Sequence, residues 1–232
     1  MIPKIIHYCW FGRNPKPKMV EKCIASWKKY CSDYEIIEWN EDNFDVNMNG
    51  YTRMCIEQKK YAFLSDYVRL YVVEKHGGVY FDTDVEVIKP IDILLENSAF
   101  YCFETDEYVA SGLGFGSVAH GESISKMLAE YDFLLSGDAG VVGCPKLNTS
   151  ALVKLGLQQN GTVQKVADAM ILSSDYMNPF DTATGIIRKT ENTVSIHWYS
   201  AAWLNPWRRL RTRIMRPLHR IFGVDAFKRF RK

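Results

Sequence analysis

The 232-residue sequence lacks several features that would place it in a familiar class. Its six cysteines include no Cys-x-x-Cys pair, so the spacing of zinc-binding and thiol-redox motifs is absent. No apolar run approaches the roughly 18 residues of a membrane-spanning helix. The first residues carry no charged leader followed by a long apolar stretch, as a secretory signal would. From these absences and the scattered cysteines we expect free thiols and a cytoplasmic location.

Local clusters typical of nucleotide-binding loops and two-metal hydrolases are missing as well. The glycine-rich stretch 112–116 continues into Ser-Val-Ala-His and not into Gly-Lys-Ser or Gly-Lys-Thr, which argues against a phosphate-binding loop. The chain has only five histidines, and no two of them are four residues apart. Because two-metal sites use clustered Asp, Glu and His ligands, a phosphoesterase or nuclease remains an alternative rather than the leading hypothesis.

The sequence does have the composition of a globular protein, with 47% hydrophobic and 24% charged residues. Its hydrophobic pattern alternates between short apolar runs and segments of helical period, which predicts an α/β fold with a mixed, mostly parallel sheet. Strands are predicted at 4–11, 34–39, 78–81, 85–88, 99–103 and 193–198, and helices at 17–31, 61–76 and 121–135, with a loop at 40–50.

Two carboxylates directly follow one of these apolar strands. The predicted strand 78–81 leads into Asp82-Thr83-Asp84, and residues two apart in an extended chain project to the same face. Two acids so placed repel each other unless a cation lies between them, and Mg²⁺ or Mn²⁺ suits carboxylates together with phosphate oxygens and water. Ligands also bind at the carboxyl ends of strands in open α/β sheets. The alternative is that both acids are ordinary turn residues.

A second charged pair lies on the helix before that strand. Asp66 and Arg69 are three residues apart and share a helix face, and their apolar neighbours predict that this helix is half-buried. An exposed ion pair would stabilise the helix by less than about 1 kcal/mol. A pair on a half-buried helix needs a stronger reason, so both residues are candidates for a binding site.

Taken in order, three motifs resemble glycosyltransferase family 32. They are Pro3-Lys4-Ile5-Ile6-His7-Tyr8-Cys9-Trp10-Phe11-Gly12, Ser65-Asp66-x-x-Arg69-Leu70, and Gly77-Gly78-Val79-Tyr80-Phe81-Asp82-Thr83-Asp84, which contains the DXD motif of the family's sugar-binding region. The family includes capsular polysaccharide enzymes and yeast-type mannosyltransferases, and it is related to the catalytic domains of clostridial glucosylating toxins. The resemblance implies a GT-A-type, Rossmann-like domain.

The resemblance also implies a binding pocket for a nucleotide-sugar donor. Trp10 would stack on the base, Asp66 and Arg69 would bind sugar and ribose hydroxyls, and Tyr80 would line the same pocket. Flat aromatic surface suits base stacking independently of any family. For Trp10 the alternative is a core position after a strand.

The metal centre implied by the resemblance comprises Asp84 as direct ligand and His197 as a late ligand or phosphate contact. Asp82 would contact the metal's waters and also the sugar or ribose of the donor. With Mn²⁺ or Mg²⁺ bound, Asp82, Asp84 and Arg69 would form the catalytic group. Trp203 would donate its indole N–H to a phosphate oxygen, although the Ser that usually precedes it in the family is Ala in this chain. A purely structural role for His197 is the alternative.

The expected function is retaining transfer of a hexose from a UDP- or GDP-linked donor to a glycan, soluble or lipid-linked, in surface or capsular polysaccharide synthesis. No residue is evident as the nucleophile that a covalent intermediate would require, so we prefer same-face attack. A metal-dependent phosphoesterase and a non-enzymatic membrane adaptor are the competing hypotheses. Nucleic-acid binding is disfavoured, because positions 1–206 hold 19 basic and 26 acidic residues.

The C-terminal segment 207–232 has the opposite charge, with ten Lys or Arg and one Asp. We therefore divide the chain into a catalytic domain, 1–206, and a basic tail. Apolar residues recur every three or four positions in the tail, which predicts an amphipathic helix at an anionic membrane surface, on the inner face of the cytoplasmic membrane. Packing on the acidic body is the alternative. Pro217 predicts a kink between two short helical segments.

Overall fold

The computed structural model describes residues 1–200 and 206–224. The strands are β1 (Ile5–Cys9), β2 (Glu35–Trp39), β3 (Gly78–Tyr80), β4 (Val85–Val87), β5 (Ala99–Cys102), β6 (Phe115–Ser117), β7 (Gln164–Val166), β8 (Ala169–Leu172) and β9 (Ser195–His197). The helices are α1 (Lys18–Tyr30), α2 (Gly50–Glu57), α3 (Tyr61–His76), α4 (Glu122–Ala129), α5 (Cys144–Lys154) and α6 (Pro206–Phe222).

Seven strands form one mixed sheet in the order β2-β1-β3-β6-β5-β8-β7. The pairings make β2, β1, β3, β5 and β8 run in one direction, and β6 and β7 in the other. The remaining strands, β4 and β9, pair with each other as a separate antiparallel ribbon. The predicted α/β fold with a mixed, mostly parallel sheet is confirmed.

Both faces of the sheet are covered by apolar side chains. Along β1, Ile6 and Tyr8 belong to one buried cluster and Cys9 to the other, as expected for side chains that alternate across a strand. Helices α2 to α5 contribute to the cluster on the Cys9 side, whereas α1 and the β4–β9 ribbon contribute to the other. The inner strands β3 and β5 are therefore buried on both sides, which explains why they are wholly apolar in sequence.

Helix α3 is the central helix of the first cluster and leads directly to β3. It ends at Gly77, whose φ of +68° is a conformation that residues with a β-carbon rarely adopt. A β-carbon at Gly77 would also lie 2.9 Å from the backbone nitrogen of Ala119. The glycine stop therefore fixes the point at which the chain leaves the helix and enters the strand that carries the acidic motif.

Some elements differ from the sequence-based expectation. Helix α2 was not predicted, although its N-cap Asn49 and Thr52 form a capping box that satisfies its first turn. The predicted helix 121–135 divides, because α4 ends at Ala129 and a short 3₁₀ turn follows at Asp132–Leu134.

The prediction of two segments around Pro217 is wrong, since α6 continues through this proline. Proline lacks only one helical N–H, and the helix does not end there. Across the described residues, no helix is both long and apolar enough to cross a membrane.

Candidate active site

The acidic motif lies in the tight turn between β3 and β4. The backbone N–H of Val85 donates to the carbonyl of Asp82 at 2.9 Å, so the chain reverses within the motif itself. Strand β4 then pairs with β9, and this register places Val85 opposite His197. Because the ribbon begins at the motif, a histidine more than a hundred residues away is brought beside Asp84.

Asp82, Asp84 and His197 form a candidate metal centre. One potential ligand atom from each residue lies within 4.8 Å of the others. In the structure, His197 Nε2 is 3.0 Å from Asp84 Oδ1, and the backbone N–H of Ser200 donates to Asp84 Oδ2 at 2.7 Å. Two carboxylates and an imidazole fit Mn²⁺ or Mg²⁺, whose other positions are filled by phosphate oxygens and water.

The charges of this cluster are strongly coupled. Burial alone would raise the pKa of Asp84, but the charge and hydrogen bond of His197 and the N–H of Ser200 lower it below its ordinary value. Burial opposes protonation of His197, yet Asp84 raises the pKa of the imidazole overall. Burial raises the pKa of Asp82, with Asp84 adding to the effect and Arg69 opposing it. A cation at this position would thus meet one firmly anionic carboxylate.

Arg69 connects the metal centre to the acidic residue on α3. Its side chain is only 3% exposed, and Nη2 lies 2.7 Å from Asp66 Oδ1 and 3.2 Å from Asp82 Oδ1. Its Nε donates to the carbonyl of Ser65 at 3.1 Å, and the guanidinium lies over the ring of Tyr80 at 5.0 Å. The Tyr80 hydroxyl donates to Asp82 Oδ1 at 3.1 Å. The Asp66–Arg69 pair is therefore a buried network and not a surface ion pair.

Sequence reasoning missed part of the wall around this network. A β-carbon at Gly112 would lie 2.7 Å from Asp82 Oδ2 and 3.1 Å from Arg69 Nη1, so only glycine allows the close approach. Asn148 on α5 accepts a hydrogen bond from the backbone of Ser111 at 3.1 Å. Arg69 Nη1 and Asn148 Nδ2 are buried and have no hydrogen-bond partner among the described residues. The glycine-rich stretch was the one available signal, whereas nothing in the sequence distinguishes Asn148.

The pKa of Asp66 depends on helix α5, which also carries Asn148. Burial raises the pKa of Asp66 to about 6, while Arg69 opposes this, Asp82 adds to it, and hydrogen bonds from Cys144 at the start of α5 lower it. A helix N-terminus favours negative charge, so α5 supports the anionic form. The second half of the chain thus completes a pocket that the sequence motifs place in the first half.

Comparison with known proteins agrees with this geometry. Residues 1–131 match the family described as capsular polysaccharide synthesis protein. The chain belongs to that family. Over 106 residues it is 30% identical to inositol phosphoceramide mannosyltransferase 3 of Schizosaccharomyces pombe, covering 43% of this chain and 29% of the relative. Over 112 residues it is 27% identical to inositol phosphoceramide mannosyltransferase 1 of the same organism, covering 45% of this chain and 35% of the relative. The matches therefore span about a third of each curated relative.

A solved structure supports the fold of this chain. It superimposes on the PaToxG glycosyltransferase with a TM-score of 0.51 at 18% identity, over 66% of this chain and 69% of that one. At this identity the likeness concerns the fold. Together with the family match, it confirms the resemblance to glycosyltransferase family 32 and its GT-A-type fold.

Of the two aromatic residues predicted to contact the donor, the structure describes Trp10, which has no printed contact with the acidic network. Trp10 follows β1, which runs parallel to β3, so it lies at the same edge of the sheet as Asp82. Its indole N–H donates to the carbonyl of Asn14 at 2.7 Å, and Lys16 Nζ lies 5.8 Å from its ring. Base stacking by this half-exposed ring stays a prediction. Trp203 lies outside the described residues.

A cleft of about 550 Å³ adjoins the candidate metal centre. Tyr199 joins the two, since its ring centroid is 4.0 Å from that of His197 and its hydroxyl is 3.0 Å from Glu104 Oε1 and 3.1 Å from Asn178 Oδ1. The cleft is lined by Glu104, Thr105, Ser174, Asp175, Asn178, Pro179, Phe180, Asp181, Thr182, Arg188, Thr190 and Tyr199. Hydroxyl, amide and carboxylate groups dominate this lining.

Proposed function

We propose that this chain is a metal-dependent, retaining glycosyltransferase. It moves a hexose from a UDP- or GDP-linked donor to a glycan acceptor in surface or capsular polysaccharide synthesis. The observation that carries the proposal is the convergence of Asp82, Asp84 and His197 beside the buried Asp66–Arg69 pair, at the sheet edge where α/β enzymes bind ligands. Membership of the capsular polysaccharide synthesis protein family supports the same class of reaction.

The metal centre would serve the leaving group. Asp84, Asp82 and His197 would hold a divalent cation, which would supply Lewis-acid stabilisation to the departing nucleoside diphosphate. Asp84 is prepared for this role because the Ser200 N–H fixes one oxygen and leaves the other directed at His197. Trp203 would add an indole N–H toward the phosphates.

The donor sugar would be held by the buried network. Arg69 is fixed by Asp66, Ser65 and Tyr80, so its remaining nitrogen, Nη1, is preorganised to donate to a hydroxyl of the sugar or ribose. Preorganised donors in a site shielded from water are a main source of transition-state stabilisation. The carboxylates of Asp66 and Asp82 would favour the positive charge that develops on the sugar ring.

The acceptor would enter through the cleft beside Tyr199. Its lining of hydroxyls, carboxylates and one amide suits the hydroxyl groups of a saccharide, and Tyr199 offers ring surface to a sugar face. Because none of the described residues is an evident nucleophile, we favour same-face attack over a covalent intermediate. The capsular or surface glycan, lipid-linked or soluble, is proposed as this acceptor.

A panel of nucleotide sugars tests the proposal. Purified protein is incubated with UDP- and GDP-sugars and Mn²⁺, and release of the nucleoside diphosphate is measured with and without a chelator. Metal-dependent release is expected for at least one donor. Asp138→Ala, which changes an exposed acid elsewhere, is the control for Asp84→Ala and should keep this release. Hydrolysis of simple phosphate esters without donor turnover would favour the phosphoesterase alternative, and inertness toward both would favour an adaptor.

A further inference from the structure

Helix α6 is attached to the body of the protein by its basic side. Arg216 Nε donates to the carbonyl of Thr182 at 3.2 Å, and His219 Nδ1 lies 3.0 Å from that of Ala183. Arg220 donates to the next two carbonyls, those of Thr184 at 2.7 Å and Gly185 at 3.1 Å. Four consecutive carbonyl oxygens, 182–185, thus receive one face of the helix.

The segment that receives the helix is a preformed turn. The carboxylate of Asp181 accepts from the backbone N–H groups of Ala183 at 2.9 Å and Thr184 at 3.2 Å, and from the Thr184 hydroxyl at 2.7 Å. An aspartate that satisfies the N–H groups inside a turn leaves the carbonyls available to other donors. The guanidinium of Arg216 also lies 5.0 Å from the ring of Phe180, a residue of the acceptor cleft. The helix therefore lies against one wall of that cleft.

The side of α6 opposite Arg216 carries exposed apolar side chains. Among the described side chains of the helix, the exposed large apolar residues are Trp207 at 77%, Ile214 at 57%, Ile221 at 72% and Phe222 at 61%. Trp207, Ile214 and Ile221 follow one another at intervals of seven residues, so they lie on one side of the helix. Arg216 comes two residues after Ile214, which places it about 200° around the helix, on the opposite side. An amphipathic helix of a soluble domain normally buries its apolar side. This one is docked the other way round.

We propose that α6 is an interfacial anchor whose outward apolar side inserts into an anionic lipid bilayer, while Arg216, His219 and Arg220 hold it on the wall of the acceptor cleft. The sequence suggested that the arginines of the tail bind lipid headgroups, but Arg216 and Arg220 instead bind backbone carbonyls of the protein. Hydrophobic insertion by Trp, Ile and Phe is the main contribution to binding, and the bilayer lies next to the cleft. The acceptor role of the cleft rests on the proposed function, whereas bilayer binding does not.

Charge identifies the occupant of this apolar side. The segment 207–232 carries ten basic residues and one acid, and eight of the ten remain when Arg216 and Arg220, which bind the body, are set aside. A second copy of the same segment would therefore bring like charge against it. An anionic bilayer offers both an apolar interior and opposite charge, and basic residues near such a surface each contribute about 1 kcal/mol. Tryptophan and phenylalanine are also typical of helices that lie in the membrane interface.

Vesicle co-sedimentation of the full-length chain tests the anchor. Phosphatidylcholine vesicles with and without phosphatidylglycerol are compared, using Ile214→Glu/Ile221→Glu as the test variant. The matched control is Ile93→Glu/Phe133→Glu, because Ile93 and Phe133 are 64% and 58% exposed and lie outside the helix. We expect the parent and the control to bind the anionic vesicles. In the helix variant, two apolar side chains that would insert into the bilayer are replaced by acids, so we expect its binding to be at least about tenfold weaker.

The outcomes separate this inference from the proposed function. A parent that binds neither kind of vesicle, or a helix variant that binds like the parent, overturns the anchor. So does a dimer in light scattering that the helix variant dissociates, since the apolar side would then receive a second copy. Release of nucleoside diphosphate without an acceptor is measured in parallel and is expected to be unchanged in the helix variant. Its absence from the parent would refute the proposed function and leave the vesicle result intact.

Discussion

Two histidines on strands, His7 on β1 and His197 on β9, have opposite environments. His7 is fully buried, with Nε2 2.8 Å from the carbonyl of Gly77 and Nδ1 accepting from the indole N–H of Trp39 at 3.1 Å. Burial lowers its pKa to about 4 despite the bond to Gly77. His197 has Nε2 on Asp84, while its Nδ1 has no hydrogen-bond partner among the described residues, and its pKa is raised.

The difference separates a structural histidine from a candidate ligand. Both ring nitrogens of His7 are used inside the fold, which fixes one neutral tautomer and ties β1 to the end of α3. His197 instead faces a carboxylate with which it can exchange a proton or share a cation. His7 belongs to the first of the three sequence motifs and His197 to none of them, so membership in a motif does not by itself identify the ligand.

The largest effect is expected from Asp84→Ala, which removes the carboxylate on which His197 depends. Metal stabilisation of a leaving phosphate contributes several kcal/mol, so donor turnover should fall about 100- to 1000-fold. The measurement is release of nucleoside diphosphate over a Mn²⁺ titration, with the thermal unfolding midpoint as the control for folding. Near-parental turnover by a folded variant would contradict the proposed metal centre.

Arg69→Lys should be the next most severe change. The lysine keeps the charge but cannot reach Asp66, Asp82 and Ser65 with fixed geometry, as the guanidinium does. Loss of one charge-assisted hydrogen bond to the donor predicts a decrease in kcat/KM of about 10- to 100-fold. The comparison with Lys22→Arg, an exposed exchange elsewhere, controls for charge-preserving changes in general. If the lysine variant matches the parent in donor kinetics, Arg69 has only a structural role.

Changing each histidine to alanine tests the contrast directly. His197→Ala should reduce turnover by at least about 10- to 100-fold, the range found even for indirect partners of metal ligands. His7→Ala should instead lower the free energy of unfolding by about 1–3 kcal/mol, because the indole of Trp39 and the carbonyl of Gly77 lose their partner. Chemical denaturation and donor turnover per folded molecule are measured for both variants. The distinction fails if His7→Ala is the variant that loses turnover while remaining stable.

The smallest effect is an acid-dependent loss of stability that originates at His7. Its pKa in the folded state is about 4, below the ordinary 6.5, so the unfolded chain takes up the proton first. The contribution is therefore complete above pH 6.5 and is lost as the pH falls toward 4, by about 1 kcal/mol at pH 5.5. Denaturation curves of the parent and His7→Ala across this range measure it. A difference between them that does not change with pH would contradict the assignment of a buried neutral imidazole.

Much of the first half of the fold follows from local pattern. Strand β1, helix α3 and strand β3 were predicted close to their observed bounds, because apolar runs and a glycine stop identify each of them. Helix α2 was missed since it has only eight residues and follows an Asn- and Asp-rich loop. Strand β6 was missed because its sequence, Phe-Gly-Ser, contains too few residues to show a period.

The site shows the same division between local and distant information. Asp66, Arg69, Tyr80 and Asp82 could be predicted to lie together, since one helix and the following strand carry all four. The approach of Asn148 to this group could not, because it depends on how α5 packs after a long intervening segment. The orientation of α6 was also beyond the sequence, where the same stripe of apolar residues allows either side to face the protein.

The β4–β9 ribbon has a consequence for the time at which the site forms. Ser200, which holds one oxygen of Asp84, lies 116 residues after it in the chain. During synthesis the nascent protein therefore carries its acidic motif, without the imidazole and the amide that neutralise it, until β9 emerges. Closing such a distant contact is a late and slow step of folding. Intermediates should thus present two adjacent carboxylates with no histidine beside them, and divalent cations should bind these species more weakly than the finished protein.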